Sequence, residues 1–562
     1  MNTLLVGLNA KFYHTNLAIR NIKKYCGFSN IDIFEATIND NIDYVLEEIL
    51  ETGADIIGFS CYIWNIEMVL YLSENIKKIK PEIIIIFGGP EVSYDVLNLL
   101  KNNFVDYIVI GEGERAFKEL LYGLEGKIDI NKINGIAYCE DGKIIVQSWE
   151  DYVNLDEIPM AYEEDEDLNN KLVYYETSRG CPFRCSYCLS SLDNKLRYVS
   201  IDKVRQDLKW FSDKKVKIVK FIDRSFNSNL KRAEDILSCI RALPEGTIFH
   251  FEINPELVDR EFIKSLKGLE DRIQFEVGVQ TTNTLSLEEI SRTSDVKRTL
   301  EGVKMLHDAG IKLHVDLIAG LPFDNFFTFS GSFDDVYNLN PNEIQLGFLK
   351  LLKGTLLREK AEKYGIVYDS KPPYEILYNK DISYQELRIL KGIAFLVNKY
   401  YNSGKFVNTL KYLTDEFNRP FEFYLSLYKY WKDNELIYKN HSLKSLYDII
   451  YEFSKKHMDV DIHFLKDLIK FDFMYFNKDK ELPVRLKDSD KNMLNYIKNY
   501  LRDEDWLKDN LPQVLCLSSL DRAKKISYGY FRYDITDENK KKDICCIFFH
   551  DINKTYFTKV YI

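Results

Sequence analysis

Over roughly the first 125 residues, short apolar β-branched runs alternate with amphipathic segments. TLLVGL, IDIFEA, ADIIGFS, EIIIIFGG and YIVIGEGE read as buried strands bounded by Gly, Asn, Asp or Ser. Between them, NIDYVLEEILETG repeats apolar positions at helical spacing, with Val45 and Ile49 on one face. This alternation predicts a doubly wound α/β domain over 1–125, whose ligand crevice lies at the carboxyl ends of its strands. The loops there are Asn9-Ala10-Lys11, Ser60-Cys61-Tyr62-Ile63-Trp64, Gly88-Gly89-Pro90-Glu91 and Gly111-Glu112-Gly113-Glu114.

Residues 126–168 read as a linker with a hairpin, GIAYCEDGKIIV, turned at Asp-Gly. The acidic run Glu163–Asp167 reads as solvated chain. A second series, KLVYYETS, KIVKFID, IFHFEIN, IQFEVGV, IKLHVDLIAGLP and EIQLGFLKL, gives six βα units over 169–375. Such units build a parallel sheet curved into a partial (β/α)6 barrel of TIM type, with its chemistry at the carboxyl strand ends. From 376 to 562 the pattern is mainly helical and closes with ISYGYFRYDI, DICCIFFH and TYFTKVYI as a small sheet.

The chain has 562 residues and a formal charge of −11, so no global basic field favours nucleic acid, and no direct nucleic-acid partner is expected. No apolar stretch reaches the ~18 residues of a membrane span, and the apolar part of the start is too short for a signal peptide. A cytoplasmic protein with reduced thiols is therefore expected. Seven of the ten cysteines are scattered; the other three form Cys181-Pro-Phe-Arg-Cys185-Ser-Tyr187-Cys188. Three thiolates on one compact loop suit a soft metal. A structural zinc site would recruit a fourth Cys or His nearby, whereas the nearest histidine in sequence is His250. On a four-iron cluster, three thiolates leave one iron open for chemistry.

The Cys-x3-Cys-x-aromatic-Cys spacing, preceded by Arg179-Gly180 and a strand, resembles the radical S-adenosylmethionine (radical SAM) superfamily. The resemblance implies that Cys181, Cys185 and Cys188 hold a [4Fe–4S] cluster and act as its catalytic ligands, with Tyr187 beside SAM. The open iron would bind the amino and carboxyl groups of SAM, and reduction would yield a 5′-deoxyadenosyl radical. The downstream strands are similar to the oxygen-independent coproporphyrinogen dehydrogenase branch. This similarity implies SAM contacts at Glu252, Gln280, Arg292 and Asp316. Ordinary polar satisfaction in a barrel core is the alternative for Glu252, Gln280 and Asp316. His250 and His314 read as core or surface residues. One departure stands out: the usual Gly-Gly-Glu turn is replaced by Phe221-Ile-Asp223-Arg224-Ser-Phe226-Asn227. That segment resembles the FxDxxFN pattern of radical enzymes with an N-terminal cobalamin-binding-type domain, which implies that Asp223 serves SAM or substrate.

LNAKFYHTNLAIR, GFSCYIWN, FGGPEVSYD and YIVIGEGERAF resemble that Rossmann-like cobalamin-binding-type domain. The Asp-x-His-x-x-Gly pattern that would ligate cobalt is absent from the chain, which weighs against bound cobalamin without deciding it. Two activities follow from the resemblance. In the first, the radical abstracts hydrogen from a small substrate and a bond breaks, as in members acting on a 7-deazaguanine base such as queuine. For that base, Tyr62, Trp64, Glu91, Asn227, Glu256 and Asp324 are the candidate contacts, and a flavodoxin or ferredoxin would supply electrons. In the second, cobalamin carries a methyl group to a substrate radical. The crevice at Asn9, Ser60 and Gly88 discriminates, because methyl transfer needs room there for a corrin. An iron–sulfur carrier without catalysis is disfavoured, since a carrier needs no open iron.

Overall fold

The structure is a computed structural model. It describes residues 1–102, 104–149, 152–193, 195–292, 294–479, 481–487, 499–536, 540–551 and 554–561. The chain divides into one compact unit of residues 1–341 and 346–387 and a second of 342–345 and 388–562.

The first unit opens with a seven-stranded sheet. Strands β1 (Thr3–Asn9), β2 (Ile31–Thr37), β3 (Ile56–Ser60), β4 (Ile84–Gly88), β5 (Tyr107–Val109), β6 (Ile136–Glu140) and β7 (Lys143–Val146) are arranged in the order β2-β1-β3-β4-β5-β6-β7. The first five run parallel. Their side chains alternate between two apolar layers, as a sheet covered by helices on both faces requires. Leu4, Val6 and Leu8 enter one core, and Leu5, Ile56 and Ile86 the other. The hairpin expected in the linker instead extends this sheet, with β6 antiparallel to β5 and β7 to β6.

A second sheet follows in the same unit. Strands β8 (Leu172–Tyr175), β9 (Ser178–Arg179), β10 (Arg197–Tyr198), β11 (Ile218–Phe221), β12 (Ile248–Ile253), β13 (Ile273–Gln280), β14 (Lys312–Ala319) and β15 (Glu343–Phe348) appear in chain order. Six of them form a sheet in the order β15-β14-β13-β12-β11-β8, and the five from β8 to β14 are paired in parallel. Strand β13 alternates buried and half-buried positions over its whole length. The buried residues, such as Phe275 and Val277, pack under the helices, and the half-buried ones, Gln274, Glu276, Gly278 and Gln280, line the concave face. Strands β9 and β10 form a separate two-stranded ladder.

The second unit holds helices Val407–Asp415, Pro420–Asp433, Leu443–His457 and Ile462–Phe476. Its antiparallel sheet comprises Ile526–Asp534, Lys540–His550 and Thr555–Tyr561. Among the described residues, no helix is long and apolar enough to cross a membrane.

Candidate active site

The three cysteines lie on one loop whose ends are tied together. Asp223, just past β11, is 2% exposed and accepts from the backbone N–H of Thr177 at 2.7 Å and of Ser178 at 3.0 Å. The Thr177 hydroxyl donates to its other oxygen. Burial pushes this carboxyl up to about 6 against the pull of those donors. Asp223 therefore holds the strand that leads into the loop, and both its oxygens are already engaged. Two residues on, β9 and β10 pair Arg179 with Arg197 and Ser178 with Tyr198, closing the loop at its base. Gly180 has φ +93°, and a Cβ there would meet the Lys195 carbonyl oxygen at 2.5 Å, so this crossing requires glycine.

Within the loop, Cys188 N–H donates to Cys185 O at 3.1 Å and Ser186 N–H to Ile290 O at 2.9 Å. Cys185 is buried, while Cys181 and Cys188 are half-buried. Burial raises the Cys181 and Cys185 thiols above their usual range. Among the described residues, no three or more His, Cys, Asp or Glu side chains are placed as a group that could hold a metal ion. Arg292 donates toward the Cys185 sulfur at 3.9 Å and to Gly278 O at 2.5 Å. Burial and the nearby Arg292 bear on the Tyr187 phenol, and burial prevails, holding it above its ordinary value.

Three of the expected SAM contacts lie in the carboxyl halves of successive strands, Glu252 on β12, Gln280 on β13 and Asp316 on β14. Gln280 closes β13 with φ +72° at a register shift, and its amide nitrogen lies over Gly278, where a Cβ would approach to 2.3 Å. Gln280 Oε1 and Asp316 Oδ1 are buried with no hydrogen-bond partner. Buried polar atoms are normally paired, so two orphaned acceptors at adjoining strand ends fit a ligand with hydroxyl or N–H donors. Burial raises Asp316 to about 8, helped by Glu276 and Glu252, and burial also raises Glu252. The cysteine loop, Arg292 and these acceptors have the donor set for a [4Fe–4S] cluster with SAM.

A polar layer that the sequence reading did not assign lines the same concave face. Lys220 Nζ lies 2.7 Å and His250 Nε2 3.3 Å from Glu276, and His314 Nε2 lies 3.8 Å from Asp316. Burial pushes Glu276 up, but His250 and Lys220 outweigh it and bring the group down to about 2. The signal was present in the strands, where His250 and Glu252, and His314 and Asp316, are two residues apart and so share a face.

The other candidates divide. Tyr62 and Trp64 stack with ring centroids 4.4 Å apart and planes within 5°, and the Trp64 indole donates to Leu8 O at 3.0 Å. Trp64 remains 44% exposed, so the pair offers a flat aromatic surface. Glu91 is buried against Lys353 at 3.0 Å and the Tyr374 hydroxyl. Asn227 exchanges hydrogen bonds with the Asn254 backbone at 2.7 and 2.9 Å. Glu256 accepts from Asp295 N at 3.2 Å, and Asp324 from the Thr328 hydroxyl at 2.6 Å. Asn227 and Glu256 thus have partners within the fold, while Asp324 keeps its Oδ2 buried without a hydrogen-bond partner.

Tyr62, Trp64 and the Gly88-Gly89 turn lie at the carboxyl ends of β3 and β4, where a corrin would bind, and a Cβ at Gly89 would meet the Cys61 carbonyl oxygen at 2.5 Å. No histidine is offered beside them: His14 bridges to Leu172 and packs edge-on against Tyr13 and Tyr174. Any cobalt held there would lack a histidine from these strand-end loops.

Residues 3–121 match the B12 binding domain family, 175–336 the Radical SAM superfamily, and 362–549 the family described as Protein of unknown function (DUF4080). An uncharacterized methyltransferase of Pyrococcus horikoshii is 27% identical over 48% of this chain and 61% of its own length. The anaerobic magnesium-protoporphyrin IX monomethyl ester cyclase of Rubrivivax gelatinosus is 24% identical over 56% and 60%. The cobalamin-dependent radical SAM methyltransferase TokK of Streptomyces tokunonensis is 25% identical over 56% and 49%. The chain thus spans about half to three-fifths of the length of these relatives. Among solved structures, the cobalamin-dependent SAM radical enzyme OxsB with aqua-cobalamin bound has a TM-score of 0.62 at 14% identity, over 89% of this chain and 84% of that one. The methyltransferase TsrM of Kitasatospora setae, with tryptophan and a SAM analogue, has a TM-score of 0.57 at 16% identity, over 66% and 79%. The chain joins an N-terminal B12-binding domain to a radical SAM domain, the architecture of cobalamin-binding radical SAM enzymes.

Proposed function

We propose that the protein is a radical SAM methyltransferase acting on a small molecule with cobalamin as methyl carrier. Bound together, the cluster and SAM supply a 5′-deoxyadenosyl radical, and cobalamin supplies a transferable methyl group. The observation that carries the reading is a B12-binding domain ahead of a SAM-type site, with methyltransferases among the chain's relatives. In this reading Cys181, Cys185 and Cys188 hold the cluster. Gln280 and Asp316 accept from the adenosine moiety, Glu252 faces the ribose, and Tyr62 with Trp64 supports the corrin face. The lyase expected from the sequence gives way to methyl transfer as the first reading, because those relatives are methyltransferases. Cobalamin is accordingly given more weight than the missing histidine motif alone suggests. Electrons come from a low-potential donor of the flavodoxin or ferredoxin type.

One observation keeps bond cleavage as a second reading. Polar groups at the crevice satisfy one another: Asn16 donates to the Ser60 hydroxyl at 2.8 Å, and Asn65 donates to Leu8 O and Ser60 O. Glu91 is sealed by Lys353 and Tyr374. A single flat heterocycle needs less of this crevice than a corrin does, which favours a substrate such as queuine and the activity of queuine lyase, releasing an aminomethyl-deazaguanine.

Anaerobic loading with hydroxocobalamin, then gel filtration and absorbance, separates the two. Near-stoichiometric retention, and label from methyl-labelled SAM entering a small-molecule acceptor, supports methyl transfer. No retention, with 5′-deoxyadenosine and the aminomethyl-deazaguanine formed from queuine, supports cleavage.

A further inference from the structure

The base of the cysteine loop contains an electrostatic conflict. In the β9–β10 ladder, Arg179 and Arg197 stand directly opposite each other, and like charges so placed repel. The compensating charges come from the Gly111-Glu112-Gly113-Glu114 loop at the end of β5, in the N-terminal domain. Glu112 bridges both cations, with Arg179 Nη1 at 3.3 Å from Oε2 and Arg197 bonded to both carboxylate oxygens. Glu114 accepts from Arg179 Nη2 at 2.8 Å. Glu176, at 2.7 Å from Arg179, and Asp193, at 3.1 Å from Arg197, complete the set from the loop's own flanks. The five Arg and Glu side chains are largely buried, at 7–19% exposure. Arg179 is two residues from Cys181, so any opening of the ladder moves the first cysteine.

We infer that Glu112 and Glu114 are positioning residues for the iron–sulfur loop, acting through Arg179 and Arg197 to hold Cys181 in register with Cys185 and Cys188. The N-terminal domain thereby has a role in the radical centre that is independent of what its crevice binds. Without Glu112, two buried guanidinium groups face each other with one anion fewer, and the ladder spreads. The local field changes in the same direction: losing an anion near a cluster makes it easier to reduce. A glutamine at 112 keeps the size and hydrogen-bonding capacity of the side chain but not its charge, while an aspartate keeps the charge.

The test uses the full chain reconstituted anaerobically with iron and sulfide, and it rests on the cysteine loop holding a cluster. Glu112→Gln, Glu112→Asp, Glu114→Gln and Lys353→Met are compared with the natural chain for iron release to a chelator and for midpoint potential by EPR titration. Lys353 pairs with Glu91 and Asp95 of the N-terminal domain and not with Arg179 or Arg197, so it reports on domain docking in general. Glu112→Gln is expected to release iron at least about tenfold faster, as loss of one partner in a buried ion network implies, with a more positive potential. Glu112→Asp should recover most of both, and Lys353→Met should resemble the natural chain. Unchanged release and potential in both glutamine variants, or the same defects in Lys353→Met, overturn the inference. A natural chain that takes up no iron refutes the cluster reading instead.

Discussion

Arg292 directs a guanidinium nitrogen toward the Cys185 sulfur at 3.9 Å, joining positions 107 residues apart. A second nitrogen of the same side chain holds the Gly278 carbonyl at 2.5 Å, beside Gln280. One cation thus links the cysteine loop to the strand end where SAM is expected. A hydrogen bond and a positive charge at a cluster sulfur both favour the reduced state. Arg292→Met is therefore expected to retain iron, to shift the cluster potential negative and to lower SAM cleavage about tenfold or more. Redox titration with 5′-deoxyadenosine quantification checks this; an unchanged potential contradicts it.

Asp223 supports the loop from behind. Its carboxylate accepts from the backbone N–H groups of Thr177 and Ser178. Asp223→Ala leaves two buried N–H groups unpaired and is expected to cost about 2–4 kcal/mol. The loss should appear as reduced iron content after reconstitution, with SAM affinity of the iron-loaded fraction unchanged. Weaker SAM binding at full iron loading would restore Asp223 to the SAM site.

Asp316 gives a pH signature. Its group is raised to about 8 in the folded chain, against about 4 when unfolded, so the folded state binds a proton the unfolded state lacks between those values. Its contribution is therefore complete below about pH 4 and declines as pH rises to about 8. Asp316→Asn removes the titration, so its melting temperature should fall less than that of the natural chain between pH 6 and 8, without SAM. Parallel pH profiles for the two proteins would show that Asp316 is not held protonated.

The second unit has its own buried anchor. Asp472 is fully buried and accepts from Asn408 and Thr409, backbone and side chain, at the start of helix Val407–Asp415. Burial nonetheless raises it to about 6. Asp472→Ala is expected to destabilise this unit by about 3 kcal/mol while leaving iron uptake intact. Thermal unfolding followed by limited proteolysis of residues 388–562 reads the effect.

Much of this was legible in the chain because period-2 and period-3.6 patterns are local. The strands of both sheets fall where TLLVGL, IIIIFGG, IFHFEIN and IQFEVGV placed them. Cys181, Cys185 and Cys188 were readable for the same reason, since their spacing lies within one loop. The role of Asp223 was not legible, because its partners lie 45 and 46 residues away. Nor was the Glu112–Arg179–Arg197 network, which forms only once two sheets meet. The hairpin of β6 and β7 was recognised as a hairpin but not as part of the first sheet, since sheet order depends on which edge is free. Asn227 and Glu256 were polar residues near strand ends, and sequence position alone does not show which local hydrogen bonds such residues form.

The central claim is tested most directly by EPR of the anaerobically reconstituted, dithionite-reduced chain, with and without SAM, beside Cys185→Ala. About four irons per chain, a reduced-cluster signal that shifts on adding SAM, and 5′-deoxyadenosine with methionine as products are expected. All three should be lost in Cys185→Ala. A signal indifferent to SAM, or a variant that keeps its cluster and its products, would contradict it.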